Sequence, residues 1–409
     1  MNNNSKEKEK EDKNEENKFG LYLKIITSKN SNGVFDASKI DKTCETIMTD
    51  NNIFLVITKN NNILKVDNQG EIKSKNGENL IFKIRKRKNF YQLENNPPPN
   101  MKMSEDNIKG LNYKLWYVIK NNNNINEQYY LNENDIIRLG NFKFILKKIN
   151  INNYKGNSND LKYNIKEINE EKITSIINLE NNIKNKDSVI PKIKEECAIC
   201  NLSNNNEDNP LLRICDCNNY KHYKCIIEDI KDKLRKKHNK SKTSINYYLK
   251  IFCYDCYNEL PLKFKIDNKV YELFNLEKPQ DSEEYLLFES LNYLTKYQDY
   301  EKSIHLVKLK GNDNIIKVTI GRDGHNKDND IKIEESSVSR EHAIIEYDKN
   351  QRTLLLKNIS KSSDSLILIN NILEINENKI NLQVGNTLVE TNLVTGEIFQ
   401  KNKDNYKKI

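Results

Sequence analysis

Seven of the chain's eight cysteines lie between Cys197 and Cys256. They fall into the close pairs Cys197–Cys200, Cys215–Cys217 and Cys253–Cys256, with His222-x2-Cys225 as a fourth pair of donors. Thiolate and imidazole at such spacing is metal chemistry. A two-residue spacer lets both donors of a pair turn toward one ion, and two pairs close one tetrahedral zinc site. Eight donors therefore predict two structural zinc ions. A module this polar gains little from a core of its own. Zinc contributes about 10–16 kcal/mol of apparent binding free energy in comparable peptides, so metal is expected to fold it. Cys44 stands apart and reads as an ordinary buried or idle thiol. No side chain pairs a nucleophile with an adjacent base, so the sequence offers no catalytic residue.

The elements that must position these donors sit in a polar chain. Of 409 residues, 36% are hydrophobic and 31% charged, so part of the chain is expected to be solvated linker or tail. The net charge of +8 is spread over interspersed Lys and Glu. That excludes the one-sided basic face of a nucleic-acid binder. The densest basic stretch, "KDKLRKKHNKSK" from Lys231 to Lys242, reads as a solvated helix end, with an anion or nuclear-import patch as the alternative. The first residues carry no apolar run of the signal-peptide kind, and no segment is long and apolar enough to span a bilayer. A soluble protein of the cytoplasm or nucleus, with no membrane partner, is expected. Its reducing surroundings favour metal over disulfides.

Residues 1–18 read as a disordered tail. From Leu21, "LYLKII", "NIFLVI", "NILKV" and "LIFKI" alternate with period two and are rich in β-branched residues, which predicts strands. "KLWYVI" and "YYLNENDIIRLGNFKFILKKI" resume that pattern, giving an all-β domain over 19–150. Residues 151–193 read as a linker with a weak helical pattern from Ile173 to Ile183. The cysteine module covers 194–262, a connector 263–299, a second strand-rich domain 300–392, and a polar tail 393–409. The fold class is thus multidomain: two all-β domains around a small two-zinc finger.

The ligand order CCCCHCCC, with one residue between Cys215 and Cys217, resembles the RING-CH (RING-variant) finger. The resemblance implies a cross-brace: Cys197, Cys200, His222 and Cys225 on one zinc, Cys215, Cys217, Cys253 and Cys256 on the other. It also implies a helix after Cys225, where Ile226, Ile227, Ile230 and Leu234 recur at helical spacing. Such fingers recruit a ubiquitin-conjugating enzyme through a hydrophobic residue in the first pair, here Ile199, and a Trp that this chain replaces with Asp229. The short gap from Cys217 to His222 suits a PHD finger instead, but that family's Trp is Ile251 here.

"IIKVTIGRDGHNKDNDIKIEESSVSREHAIIEY" resembles the forkhead-associated (FHA) domain, a β-sandwich that binds phosphothreonine peptides. Gly321-Arg322 and Ser339-x-x-His342 carry the resemblance, and "NLQVGNTLVE" looks like its closing strands. It implies that Arg322, Ser339 and Arg340 hold phosphate while His342 braces the loops. The chemistry agrees: a guanidinium offers permanent charge and directed donors, and a short hydroxyl adds a neutral one. The family's Asn-Gly-Thr element is missing; Ser360 and Ser362 stand near its place. "YYLNENDIIRLGNFKFILKKI" also looks like the close of an FHA-type sandwich, though no phosphate motif precedes it. Together the parts resemble a group of protist proteins with FHA and RING-CH domains. Two readings stay open. The resemblance favours a ubiquitin ligase that finds phosphorylated proteins through its FHA domain; the alternative is a non-enzymatic phospho-dependent adaptor with a structural zinc finger.

Overall fold

A computed structural model describes residues 19–29, 35–48, 52–58, 63–65, 78–86, 90–95, 115–155 without 123, 124 and 127, 177–178, and 196–395 with short gaps at 204–205, 207, 215–218, 254–259, 261–262, 267–268, 278, 281, 292–293, 297–298, 325–327, 370–371, 376–378 and 386. Strands dominate. The first run is β1 (Phe19–Ser28), β2 (Ile40–Met48), β3 (Asn52–Thr58), β4 (Ile63–Lys65), β5 (Glu78–Lys86), β6 (Tyr91–Asn95), β7 (Leu115–Ile119), β8 (Gln128–Tyr130), β9 (Ile136–Leu139) and β10 (Phe142–Asn150). A middle module holds helix α1 (Tyr223–Lys233), β11 (Arg235–His238) and β12 (Ser244–Leu249). The last run is β13 (Tyr285–Ser290), β14 (Asp299–Lys308), β15 (Ile315–Arg322), β16 (Ile331–Ile333), β17 (Ala343–Asp348), β18 (Thr353–Asn358), β19 (Ser365–Leu368), β20 (Ile372–Ile375), β21 (Ile380–Val384) and β22 (Thr387–Thr395). Among the described residues no helix is long and apolar enough to cross a membrane.

The two runs repeat each other and exchange their last three strands. One long sheet has the order β11-β12-β14-β13-β10-β9-β19-β7-β21-β22-β1-β2. Its centre is the antiparallel pair β7–β19, with Tyr117 opposite Ile367. Outward from that pair the sides correspond strand for strand: β21, β22, β1 and β2 on one side, β9, β10, β13 and β14 on the other. Two five-stranded sheets, β20-β6-β5-β3-β4 and β8-β18-β17-β15-β16, complete two sandwiches. Each is closed by the other run's final strands. Phe144 and Leu146 pack with Val318, Ile345 and Leu356, while Ile375, Leu382 and Val389 pack with Leu21, Ile84 and Leu93.

This overturns the expected division of the chain. Residues 19–150 and 300–392 do not fold as separate sandwiches, because strand pairing crosses both boundaries. The supposed connector also supplies β13 to the core of the second sandwich. Alternation fixes which face of a strand is apolar, and both closing segments have the same alternation. Either segment could therefore cover either sandwich.

The closing segments match in detail. In sequence, "LNEN" at 131–134 and "INEN" at 375–378 precede them, and each carries a Gly-Asn pair, Gly140-Asn141 and Gly385-Asn386. Both glycines are left-handed, at φ +58 and +54. Arg138 Nε donates to the Gly140 carbonyl at 2.9 Å, and Gln383 Nε2 donates to the Gly385 carbonyl at 3.0 Å. Arg138 is the costlier choice. It is 2% exposed, and its Nη1 finds no hydrogen-bond partner among the described residues. Burial pulls its pKa down to about 10, and the guanidinium rests 5.8 Å from the centre of the Trp116 ring. Its cross-strand neighbour Lys143 is buried too, and is drawn down to about 8 by burial and then by Arg138. Arg138→Gln keeps the bond to Gly140 and removes a buried charge, at the loss of the contact with Trp116. Denaturant melts should show a gain of about 1–2 kcal/mol.

The middle module extends the long sheet. β12 pairs with β14, and β11 forms the sheet's edge. The helix expected after Cys225 is present as α1, with Ile226 and Ile230 buried against Tyr247, Leu249, Ile304 and Leu306. The basic stretch, expected as a helix end, leaves the helix after Lys233 and becomes β11 and its turn. There the buried Asn239 caps the turn, accepting from the Thr243 and Ser244 amides at 2.8 and 3.1 Å. Of the weak helix over 173–183, only Ile177–Asn178 is described. It is a strand paired parallel with Phe264–Lys265; the rest lies outside the described residues.

Candidate phosphate and metal sites

The candidate metal cluster is built from a turn and a helix start. Cys197 donates its amide to the Leu202 carbonyl, and Asn201 turns the chain at φ +57. His222 is the residue before the first turn of α1, and Cys225 lies within that turn. The donor atoms of Cys197, Cys200, His222 and Cys225 all lie within 4.8 Å of one another. Cys200 Sγ is 3.2 Å from His222 Nδ1, and the His222 amide donates to Cys197 Sγ at 3.3 Å.

The thiols cannot all ionise at ease. Burial opposes ionisation of Cys197, yet the amides of Cys200, His222 and Ile199 hold its pKa down. Burial, followed by the neighbouring Cys200 and Cys197, pushes Cys225 up. A cation at the centre would relieve that crowding, so the donor set fits a soft divalent ion. Tetrahedral zinc with bonds of about 2.3 Å sets sulfur atoms about 3.8 Å apart, which falls within the 4.8 Å that bounds the separations of these donors. Of the second foursome, Cys253 is buried in the module's core, with Lys221 Nζ 4.0 Å from its sulfur. Cys215, Cys217 and Cys256 lie outside the described residues.

The phosphate candidates converge on loops at one end of the second sandwich. β15 ends in Gly321-Arg322. A Cβ at Gly321 would lie 2.1 Å from the Arg340 carbonyl oxygen and 2.7 Å from Asn329 Nδ2, so only glycine lets these loops close. Buried Asn329 donates to that same carbonyl at 2.8 Å. The Arg322 amide donates to the Ser339 carbonyl at 2.8 Å, and Arg322 Nη1 to the Ser336 carbonyl at 3.1 Å. Arg340 is exposed beside them.

Hydroxyls fill the rest of the site. Ser339 Oγ lies 2.7 Å from Ser360 Oγ, 2.9 Å from Ser362 Oγ and 3.5 Å from Ser363 Oγ. The Ser362 and Ser363 amides both donate to Ser360 Oγ at 3.2 Å. Beneath them His342 is fully buried. Its Nδ1 accepts from the Ser339 amide at 3.1 Å, which leaves the proton on Nε2, 3.4 Å from the Asp364 carbonyl. Its own carbonyl accepts from the Ile359 and Ser360 amides. Burial draws the imidazole down to about 4, so it braces the loops as a neutral ring.

Residues 318–389 match the FHA domain. No curated protein and no solved structure matches the chain. The FHA match starts in β15 and ends in β22, so it crosses the point where the chain leaves one sandwich for the other. The FHA loops are instead propped by the upstream closing hairpin. The Asn141 amide donates to Ser337 Oγ at 2.9 Å, and a Cβ on Gly140 would lie 2.5 Å from the Ser337 carbonyl oxygen.

Sequence reasoning missed Ser363, Asn329 and the upstream prop. Ser363 carried a weak signal in the run "SKSSDS"; Asn329 and the prop carried none, since both depend on how distant segments meet.

Proposed function

We propose that this chain is a phospho-dependent adaptor: its FHA site holds a phosphorylated, in the first place phosphothreonine-containing, segment of a partner protein, and its cysteine module is a structural zinc finger. The meeting of Arg322, Ser339 and the Ser360–Ser363 hydroxyls over a neutral His342 supports the reading most strongly. Arg322 supplies the charge-assisted donors and Arg340 adds a second cation. The hydroxyl of Ser339 and those facing it replace the water that a phosphate oxygen gives up. Cys197, Cys200, His222 and Cys225 would hold one zinc, and the second foursome another.

Calorimetry of the full chain against a phosphothreonine peptide library tests this. Arg322→Ala should weaken binding about tenfold to a hundredfold, the loss of one charged hydrogen-bond partner. It should leave the melting temperature in place, because Arg322 is a half-exposed side chain. His342→Ala should lower that temperature, because it cuts the ties between loops. If no peptide binds more tightly than its unphosphorylated form, the site is a scaffold only.

A second reading rests on Ile199. This side chain is 45% exposed and lines one groove with Asp229, Phe252 and Leu260. A groove with a protruding isoleucine suits a ubiquitin-conjugating enzyme, and would make the chain a ligase for what the FHA site holds. Ubiquitination with purified components separates the readings. Silence from both wild type and Asp229→Trp across a panel of conjugating enzymes leaves the adaptor.

A further inference from the structure

Strand β11 belongs to the metal-bearing module, yet its side chains reach the loops of the phosphate site. Lys237 Nζ lies 2.6 Å from Asp323 Oδ2 and 2.5 Å from Glu334 Oε1. Arg235 pairs with Glu334 at 3.0 Å and also with Glu301. The Arg235 guanidinium and Lys237 Nζ both lie against the ring of the buried Tyr248, 4.8 and 5.4 Å from its centre. The Lys240 amide donates to Asp328 Oδ2, and Asn239 Nδ2 to Asp330 Oδ1, each at 2.6 Å.

The places of the two carboxylates give these pairs their meaning. Asp323 directly follows Arg322, and Glu334 opens the loop that runs to Ser339. One ammonium thus ties the arginine's strand end to the serine's loop. Only Leu234 separates β11 from α1, whose first turn carries Cys225.

We propose that Lys237 is a positioning residue of the phosphate site, lent by the metal-bearing module, which holds Asp323 and Glu334 neutralised and turned away from Arg322 and Ser339. The proposal rests on the phosphopeptide reading above. Without Lys237, Asp323 would lose its ion pair and Glu334 would keep only Arg235, so more negative charge beside the site would meet an incoming phosphate dianion, and like charges at close range oppose association. The loops would also lose their common tie. The metal module then does more than stand beside the FHA loops: it completes their charge balance.

The test uses the full zinc-loaded chain, one phosphothreonine peptide chosen from the library, and the same peptide unphosphorylated. Lys237→Met should bind about tenfold more weakly, whereas Lys237→Arg should stay within about twofold of wild type. Adding Asp323→Asn and Glu334→Gln to Lys237→Met should restore most of the affinity. A purely structural lysine would not be rescued by removing charge. Full affinity in Lys237→Met, or no recovery in the triple variant, overturns the proposal. Should Lys237→Met melt too early to assay, Asp323→Asn alone decides. With Lys237 neutralising it, this change should alter affinity by no more than about twofold, and a large gain overturns the proposal. If wild type itself does not prefer the phosphorylated peptide, the phosphopeptide reading fails and takes this inference with it. If wild type prefers it and Lys237→Met binds equally well, only this inference falls.

Discussion

Phe144→Ala, far upstream of the FHA match, should abolish phosphopeptide binding, whereas Leu382→Ala, inside the match, should spare it. Phe144 is fully buried on β10 and packs edge-on against Phe288, 5.4 Å between ring centres, in the core that carries Val318 and Ile320 of β15, the strand that ends in Arg322. Removing it should cost about 3–5 kcal/mol. That is a large part of a typical domain's margin of about 5–15 kcal/mol. Leu382 is equally buried but belongs to the other core, with Leu21, Leu93 and Ile375. Its loss should cost about 2–5 kcal/mol, felt in the first sandwich. Calorimetry with the phosphopeptide and amide exchange on each variant separate the outcomes. If Leu382→Ala removes binding and Phe144→Ala does not, each run closes on itself and the exchange is wrong.

That inversion marks where reading the sequence stops. The alternation in "IIRLGNFKFILKKI" and "INLQVGNTLVE" identified closing strands, because apolar residues at every second position must face a core. Nothing in either segment says which core. The partner is set by tertiary packing, and two segments that share an NEN sequence, a Gly-Asn pair and a left-handed glycine are alike locally. The helical period of Ile226 and Ile230 was legible for the converse reason: a helix satisfies its own backbone, so its existence needs no distant strand. Donor spacing pointed to the cluster of Cys197, Cys200, His222 and Cys225, since each of its two pairs lies within a few residues. Gly321, Arg322, Ser339 and His342 were legible as a motif, and the structure brings them together. Lys237 was not, because its partners lie in another module. The run around it read as a solvated surface, yet Asp323 and Glu334 engage Lys237 itself and Glu277 pairs with Lys236.

Removing metal should dismantle part of the middle module and leave the rest standing. The module has two supports. One is the donor cluster, which holds the Cys197–Leu202 turn to the start of α1. The other is an apolar core in which Leu212, Ile214, Ile226 and Ile230 meet Tyr247, Leu249, Ile304 and Leu306. Zinc in small fingers contributes about 10–16 kcal/mol, more than such a turn could supply from its own contacts. After chelation the amides of Cys197, Ala198, Asn201 and His222 should therefore exchange rapidly. Those of β12 should stay protected, because the strand is paired on both sides, with β11 and β14. Cys225→Ser should reproduce the local loss and lower the zinc content by about one ion from the expected two. Since α1 leads into β11 through a single residue, some loosening should reach Lys237 and lower phosphopeptide affinity as well. Unchanged exchange across the turn after chelation, or a zinc content near zero in the purified wild type, would mean that these four side chains meet for packing and not for metal.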